Sequence, residues 1–433
     1  MTVYNILTGI AAGVLALAGL LLLLAREERG SRIRSLLERT LYRLTRRSHL
    51  DWLSGRWLTL VVAVGLGAVV VFDLASGLYN CPGPGRPSDI LGFLEQGRAL
   101  WTGSDPFTVQ ACGVTILEPD GLAAVVINGL ASLGGVAGVA VVWAAIAVAV
   151  VPLTWWAAGP DRRYVTLVVV TSPLYLPLVA SQIDGASNAL VPATILLTLV
   201  LAARGEAGAT ALAGFLATQR FPTLFPVLGM SGGFRRRFLA AFAAIAVFAA
   251  GTGVAYLAWG NNFLGPVILD ELSRRSFSLN LWGVFLLANL LPSGNGLAIG
   301  QAAATLVLVG LVFFLVRPPL RAAAIALTGV ALLTQFLSFN ILVWLLPVAL
   351  VGARARWWLW GIAVVSSINY DYALNLAAGS PGTVWPSAVL DVLLTILLLG
   401  LLVDLCRPTA RTAETTAGKN RGRPGKDYLA GGG

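Results

Sequence analysis

The chain has 433 residues, 57% hydrophobic and 12% charged, with 30 basic against 20 acidic residues and a formal net charge of +10. A soluble domain carries about twice that charged fraction, so a water-facing globule is excluded, and repeated apolar runs of about 20 residues mark an integral membrane protein. These runs do not alternate apolar with polar residues, which also excludes an outer-membrane barrel.

The basic excess does not read as a nucleic-acid surface. Nine of the 30 basic residues lie between Arg26 and Arg56 and six from Arg407 onward. Most others sit in short connections: Arg162–Arg163, Arg204, Arg235–Arg237, Arg317 with Arg321, and Arg354 with Arg356. Such a distribution marks cytoplasmic loops and attraction to anionic membrane lipid, and no nucleic-acid partner is expected. The one histidine, His49, leaves no His-based metal cluster and no Ser–His–Asp triad.

Tyr4–Ala25 is the first span, with no small-residue cleavage site before the arginines, so it reads as an anchor with the N-terminus outside. Residues 26–56 form a basic amphipathic surface segment in which Leu36, Leu37, Leu41 and Leu44 lie between arginines. A span from Trp57 to Leu78 crosses outward. The loop beyond it contains Cys81 and Cys112, either bonded to each other or as isolated thiols, whereas Cys406 at a basic end is expected to be free. Within that loop Ser88 can cap a helix reaching about Trp101, which Gly103 and Pro106 end. Residues 121–157 hold an interfacial piece and an inward span. Tyr164–Ala180 crosses outward to the short turn Ser181-Gln182-Ile183-Asp184-Gly185, and Leu190–Ala203 returns.

Ala209–Leu228 begins and ends at basic connections, yet carries Gln219-Arg220-Phe221-Pro222 in its middle. An apolar segment that returns to its own side must break, so two half-helices meeting at Arg220 are expected, with the cation lining a wet or paired cavity. Phe238–Trp259 then crosses outward to a loop with Asp270, Glu271, Arg274, Arg275 and Asn280, followed by the interfacial piece Leu281–Leu291. Ile299–Val316 returns inward. Ala322–Val351 repeats the broken pattern around Gln335 to Asn340. Trp357–Ser367 leads outward to Asn369-Tyr370-Asp371-Tyr372, and Trp385–Leu405 comes back to a basic, disordered cytoplasmic tail.

The expected fold class is all-α: a polytopic membrane protein of about 13 membrane helices, including broken or half-length ones, with outer-face loops and interfacial helices. Three regions follow: residues 1–56 as anchor and basic segment, 57–405 as the membrane domain, and 406–433 as the tail. The outer face collects the unusual residues from five places in the chain, as a site assembled between helices does. Asp89 and Gln96 are seven apart and share a helix face, with Arg98 pointing nearly opposite. Gln182, Asp184, Arg220, Arg274, Arg275, Asn280, Tyr370 and Asp371 complete the candidates. Each has a plainer reading: Asp89 as a first-turn acid favoured by the helix dipole, Arg274, Arg275 and Asp371 as loop charges, and Asp105 before Pro106 as turn chemistry.

Asp89…Gln96-Gly97-Arg98-Ala99-Leu100…Gly103-Ser104-Asp105-Pro106-Phe107 resembles the first outer loop of glycosyltransferases with the multi-spanning C-type fold. The nearest branch is glycosyltransferase family 87, whose members use polyprenyl-phosphate mannose. Ser181-Gln182-Ile183-Asp184-Gly185 is similar to a later turn of that family. Gln219-Arg220-Phe221-Pro222 resembles its broken Lys-Pro helix, with Arg for Lys and a Phe inserted. Ser278-Leu279-Asn280-Leu281-Trp282-Gly283 resembles an outer Asn-Gln-Ser-Leu-Trp-Gly motif in altered order. The resemblance covers roughly residues 57–405 and departs at Ser338-Phe339-Asn340. It implies a sugar, mannose first, passed with inversion from a polyprenyl-phosphate donor to a hydroxyl of a lipid-linked or cell-envelope glycan acceptor outside a prokaryotic plasma membrane. Asp89 would be the general base. Arg220, Arg274 and Arg275 would hold the donor phosphate, and Gln96, Gln182, Asp184, Asn280, Tyr370 and Asp371 would contact substrate. A monophosphate donor requires no bridging metal, and no cofactor is expected. The other readings are a transporter or lipid-linked glycan flippase and a noncatalytic subunit of a glycan-assembly complex.

Overall fold

The computed structural model describes residues 56–79, 81, 88–117, 121–158, 169, 189–203, 208–230, 233–263, 296–334, 342–377 and 384–407. The first span, most of the basic segment, Tyr164–Ala180 apart from Val169, the turn with Gln182 and Asp184, the loop with Arg274, Arg275 and Asn280, Leu281–Leu291, Gln335–Asn340 and the tail beyond Arg407 lie outside the described residues.

The described chain is mostly helical. In order come α1 (Leu58–Ser76), α2 (Asp89–Thr102), a hairpin of β1 (Thr108–Ala111) and β2 (Val114–Leu117), α3 (Leu122–Ser132), α4 (Gly135–Ala158), α5 (Leu190–Ala203) and α6 (Gly208–Ala217). A 3-10 turn at Phe221–Leu224 leads into α7 (Phe225–Leu228) and then α8 (Phe234–Trp259). After it come α9 (Gly296–Leu315), α10 (Pro319–Leu333), a 3-10 segment Val343–Leu350, α11 (Ala353–Ala377) and α12 (Val384–Cys406).

Among the described residues, α1, α4, α8 and α12 are long and apolar enough to cross a membrane. α8 lies at the periphery: only 11% of its apolar window is buried, and Leu257 is 85% exposed. Faces such as Val61, Val64 and Phe72 on α1 or Leu306, Leu311 and Leu315 on α9 are exposed as well. In water so much apolar surface would drive aggregation; against hydrocarbon it is at rest. The centre is built from shorter pieces. Ala322 to Ala331 of α10, all of Val343–Leu350 and all of α7 are buried, as are Val191, Ile195, Leu196, Leu199 and Val200 of α5. Small residues permit this close packing: a Cβ at Gly214 would strike the backbone of Ala244, and one at Gly400 the ring of Trp358.

Three features differ from the sequence expectation. The fold is not purely helical, because Thr108–Leu117 forms an antiparallel hairpin with Thr108 opposite Leu117 and Ala111 opposite Val114. Its two-residue turn, Cys112 (φ 54°) and Gly113 (φ 77°), has the positive φ angles of a tight hairpin turn, and β-branched Thr108, Val109, Val114, Thr115 and Ile116 suit the strands. Secondly, Asn369-Tyr370-Asp371-Tyr372 does not follow a helix but lies within α11, which runs on to Ala377. Nothing in that polar run breaks a helix, and the next glycine and proline are Gly379 and Pro381. Thirdly, the second half of the Arg220 segment is a 3-10 turn and a single α turn, because Pro222 and Pro226 each remove a backbone donor.

Helix ends at one pole of the assembly are closed by arginine. Arg237 is buried and donates to the carbonyls of Leu228 (2.6 Å), Phe313 and Val316 (3.1 Å), with its guanidinium 4.9 Å from the Phe313 ring centroid. Arg321 donates to Leu405 (2.7 Å) and Arg407, and Arg356 to Ala349 (3.2 Å). Each guanidinium thus sits on carbonyls that a helix end leaves without an internal partner. This basic pole joins the ends of α7, α9 and α12 to the starts of α8, α10 and α11. Replacing Arg237 by Ala uncovers three buried acceptors. We expect a loss of about 3 kcal/mol, read as an earlier thermal unfolding midpoint in detergent, with Arg237→Lys recovering only part of it.

Candidate functional site

At the pole opposite the arginine clamps, α2 is fixed at both ends. Ser88 is its N-cap: the Ser88 Oγ accepts from the Leu91 N–H (3.2 Å) and donates to the Tyr79 carbonyl (2.8 Å). Asp89 is the first residue of the helix and half-buried, where the helix dipole favours an ionised carboxylate. Gly103 (φ 70°) caps the other end. Asp105 then does turn work, its Oδ1 accepting from the Phe107 N–H (2.9 Å). Phe107 is fully buried, with its ring 5.5 Å from that of Trp259 and 5.1 Å from that of Phe263. The Asp-Pro-Phe sequence is therefore a plug that locks the loop after α2 onto the end of α8.

Cys81 and Cys112 are joined by a disulfide with their Cα atoms 5.7 Å apart. The bridge ties the hairpin tip to the segment that follows α1. Below it, Tyr79 is buried and hydrogen-bonded to Asp73. Burial, then the neighbouring Asp73 charge and the hydrogen bond to it, raises the Tyr79 phenol above its ordinary value, so it remains a neutral donor at physiological pH.

The broken segment reaches the same pole. Arg220 has an extended backbone (φ −151°, ψ 117°) between α6 and the 3-10 turn. The chain then folds back, with the Thr223 Oγ1 donating to the Ala213 carbonyl (3.4 Å). Two residues before Arg220, the Thr218 Oγ1 accepts from the Ala123 N–H (3.0 Å), one of the free donors of the first turn of α3. A Cβ at Gly121 would fall on the Thr218 carbonyl, and one at Gly251 would meet the Thr218 Cγ2 at 2.8 Å. Gly251 stands eight residues before Trp259, about 12 Å along α8, so the break lies within the assembly and not at its rim. Leu122 and Leu100 pack into the same cluster as Phe107, Val125 and Ala255. The structure thus joins the Arg220 break to α3 and the C-terminal part of α2. Asp89 stands at the other end of that 14-residue helix, about 20 Å along its axis.

Gln96 is completely buried and tied to α3: its Oε1 accepts from the Asn128 Nδ2 (2.7 Å), and the Asn128 Oδ1 accepts from the Trp143 Nε1 (2.8 Å). A Cβ at Gly97 would strike the Asn128 backbone, so α2 and α3 are in near contact there. Arg98 faces out and pairs with Glu95 at 2.6 Å, as its angular position predicts. No protein-family profile matches the chain, and neither does a curated protein or a solved structure. The reading of the site therefore rests on its own residues.

Sequence reasoning passed over a second buried polar group. The Asn369 Nδ2 donates to the Asp391 Oδ1 (2.6 Å), and the Ser387 Oγ donates to the Asn369 Oδ1 (3.0 Å), linking α11 to α12. All three side chains are almost wholly buried. Asn369 directly precedes Tyr370 and Asp371, so this lock fixes the rotation of the helix turn that bears them. The available signal was Asp391 itself, an acid inside an apolar span. Gln182, Asp184, Arg274, Arg275 and Asn280 lie outside the described residues. Among the described residues no group of three His, Cys, Asp or Glu could hold a metal ion.

Two outcomes follow from this geometry. Gly121→Ala should displace α3 from Thr218 and lower stability by about 2 kcal/mol or more, whereas Gly67→Ala, which meets nothing within 4 Å, should leave the thermal midpoint within error. A thiol reagent should label one cysteine, Cys406, in unfolded unreduced protein, and all three of the chain's cysteines after reduction.

Proposed function

We propose that the chain is a multi-spanning glycosyltransferase of about 13 membrane helices that works at the outer face of a prokaryotic plasma membrane. It takes a sugar, mannose first, from a polyprenyl-phosphate donor and passes it to a hydroxyl of a lipid-linked or cell-envelope glycan acceptor. The observation that carries this reading is the extended break at Arg220. It presents a cation within a mostly apolar assembly, and Thr218 attaches it to α3 beside the C-terminal end of α2, about 20 Å along that helix from Asp89.

In this reaction the acceptor oxygen forms a bond to the anomeric carbon from the face opposite the phosphate. The anomeric carbon–oxygen bond breaks, its electron pair leaves with the polyprenyl phosphate, and the configuration inverts. Asp89 takes the proton of the attacking hydroxyl; its place at the start of α2 favours the ionised form that a base needs. Arg220 is the first cation assigned to the charge that grows on the leaving phosphate, since guanidinium geometry suits phosphate oxygens. Acting in one displacement with Asp89 requires that substrate binding draw the α6 break toward the start of α2, because the two ends of α2 lie about 20 Å apart. Arg274 and Arg275 are the further candidates for that role. Gln182, Asp184, Asn280, Tyr370 and Asp371 are assigned to sugar and acceptor. Gln96 contributes by holding α2 against α3.

The test is transfer of labelled sugar from a synthetic polyprenyl-phosphate donor by the purified chain in vesicles. Asp89→Asn should lower kcat by about 100-fold or more without loss of folding. Arg220→Ala should lower kcat/KM for the donor by about 100-fold. An Asp89→Asn enzyme of ordinary activity would remove the base. A neutral Arg220→Ala beside an inactive Arg274→Ala would move the phosphate to the second outer loop. Movement of labelled lipid across the vesicle without any covalent product would replace this reading by the transporter one.

A further inference from the structure

Asp73 is the one charged residue of α1, stands in its last turn and is almost fully buried. The position is unfavourable in two ways: the helix dipole opposes an acid at that end, and the span around it is apolar. Its partners account for it. The chain leaves α1 through Gly77 (φ 71°), in a turn where the Leu78 N–H donates to the Asp73 carbonyl (3.0 Å) and the Gly77 N–H to the Leu74 carbonyl (3.3 Å). That turn returns the next side chain, Tyr79, onto the Asp73 carboxylate, to which its phenol donates. One residue thus holds both the backbone and the first buried side chain of the exit from α1.

Tyr79 in turn holds α2. Its ring is buried and belongs to the same core cluster as Val70 of α1 and Ile90 and Leu94 of α2. Its carbonyl accepts from the Ser88 Oγ (2.8 Å), which itself accepts from the Leu91 N–H (3.2 Å). Capping a helix needs only the acceptor side of a serine hydroxyl. Here the donor side is committed as well, to a carbonyl nine positions earlier, and Ser88 is buried. A line of hydrogen-bonded residues therefore runs from the Asp73 carboxylate through Tyr79 and Ser88 to the first turn of α2, which Asp89 begins.

We propose that Asp73 and Tyr79 are positioning residues for Asp89, fixing the direction of its carboxylate through Ser88. The proposal rests on the reading of Asp89 as the general base. Proton transfer needs base and hydroxyl within about 3 Å of each other, and a displacement of about 1 Å costs on the order of 100-fold. The first residue of a helix has no preceding turn to hold it, so its place is set by the cap. The Tyr79 phenol touches no substrate in this scheme.

The experiment uses the full chain in vesicles. It reads transfer from a synthetic polyprenyl-phosphate sugar beside hydrogen exchange at the start of α2. Tyr79→Phe and Asp73→Leu should each lower kcat about tenfold with KM unchanged, and should speed exchange of the Leu91 and Gly92 amides about tenfold. Asp73→Asn keeps an acceptor for the phenol and should recover most of both. Ser88→Ala should lose activity in the same way, and Ser88→Thr should recover it. The double variant Asp73→Leu/Tyr79→Phe strands no polar group, so its thermal midpoint should return toward that of the parent while kcat stays low. A merely structural pair would recover both together, and that result would overturn the proposal. Unchanged exchange at the start of α2 in Tyr79→Phe would overturn it as well. Parent-like kcat in Tyr79→Phe and Asp73→Leu beside an inactive Asp89→Asn would remove the positioning role and leave the base in place. An active Asp89→Asn, or a parent chain that transfers no sugar, would remove the base and the positioning role together, and exchange would still report the link from α1 to α2.

Discussion

A helix that stops inside a membrane exposes carbonyls that no water reaches, and each one left alone is costly. This constraint governs the assembly, because its centre is made of helices that stop. Arg237 is the main answer to it. A single guanidinium, itself enclosed, serves the ends of α7 and α9 at once. Arg321 and Arg356 repeat the device at the ends of α12 and of the 3-10 segment Val343–Leu350. The positive charge gathered at this pole thereby closes helix ends, and broken segments can be packed between the longer helices.

The polar chains inside the assembly have a different role. Gln96–Asn128–Trp143 and Ser387–Asn369–Asp391 add little in net free energy, since both partners in each pair are desolvated. What they add is register: a rotation of α2 or α11 by one position would leave several buried polar atoms without partners. Where hydrocarbon offers no preference between one apolar face and another, such directional contacts select a single packing. The half of α11 that bears Asn369 is held this way, and so is the helix that Asp89 begins.

Much of this was legible in the residues. Ser88 and Gly103 bracket α2 because a cap oxygen and a left-handed glycine are local requirements. Leu190–Ala203 is bounded by polar sequence on both sides and is a helix over that range. Pro222 and the polar run before it marked the break at Arg220. What could not be read was whatever depends on distant partners. Arg237 looks like Arg235 and Arg236 in the sequence, and only the convergence of two helix ends on it makes it structural. Gln96 shares a face with Asp89, but spacing cannot tell a cavity from a packed seam, and Asn128 decides that the seam holds Gln96. The hairpin around Cys112 was hidden because strands of four residues leave little periodicity.

The short central helices have a consequence for how the chain must be assembled. α6 has 10 residues, about 15 Å of helix against about 30 Å of hydrocarbon. Released alone into lipid, it would leave Gln219 and Arg220 in contact with acyl chains. Its seam against α8, where Gly214 meets the backbone of Ala244, admits no intervening lipid tail. α6 is therefore one half of a pair with α8 and not a span in its own right.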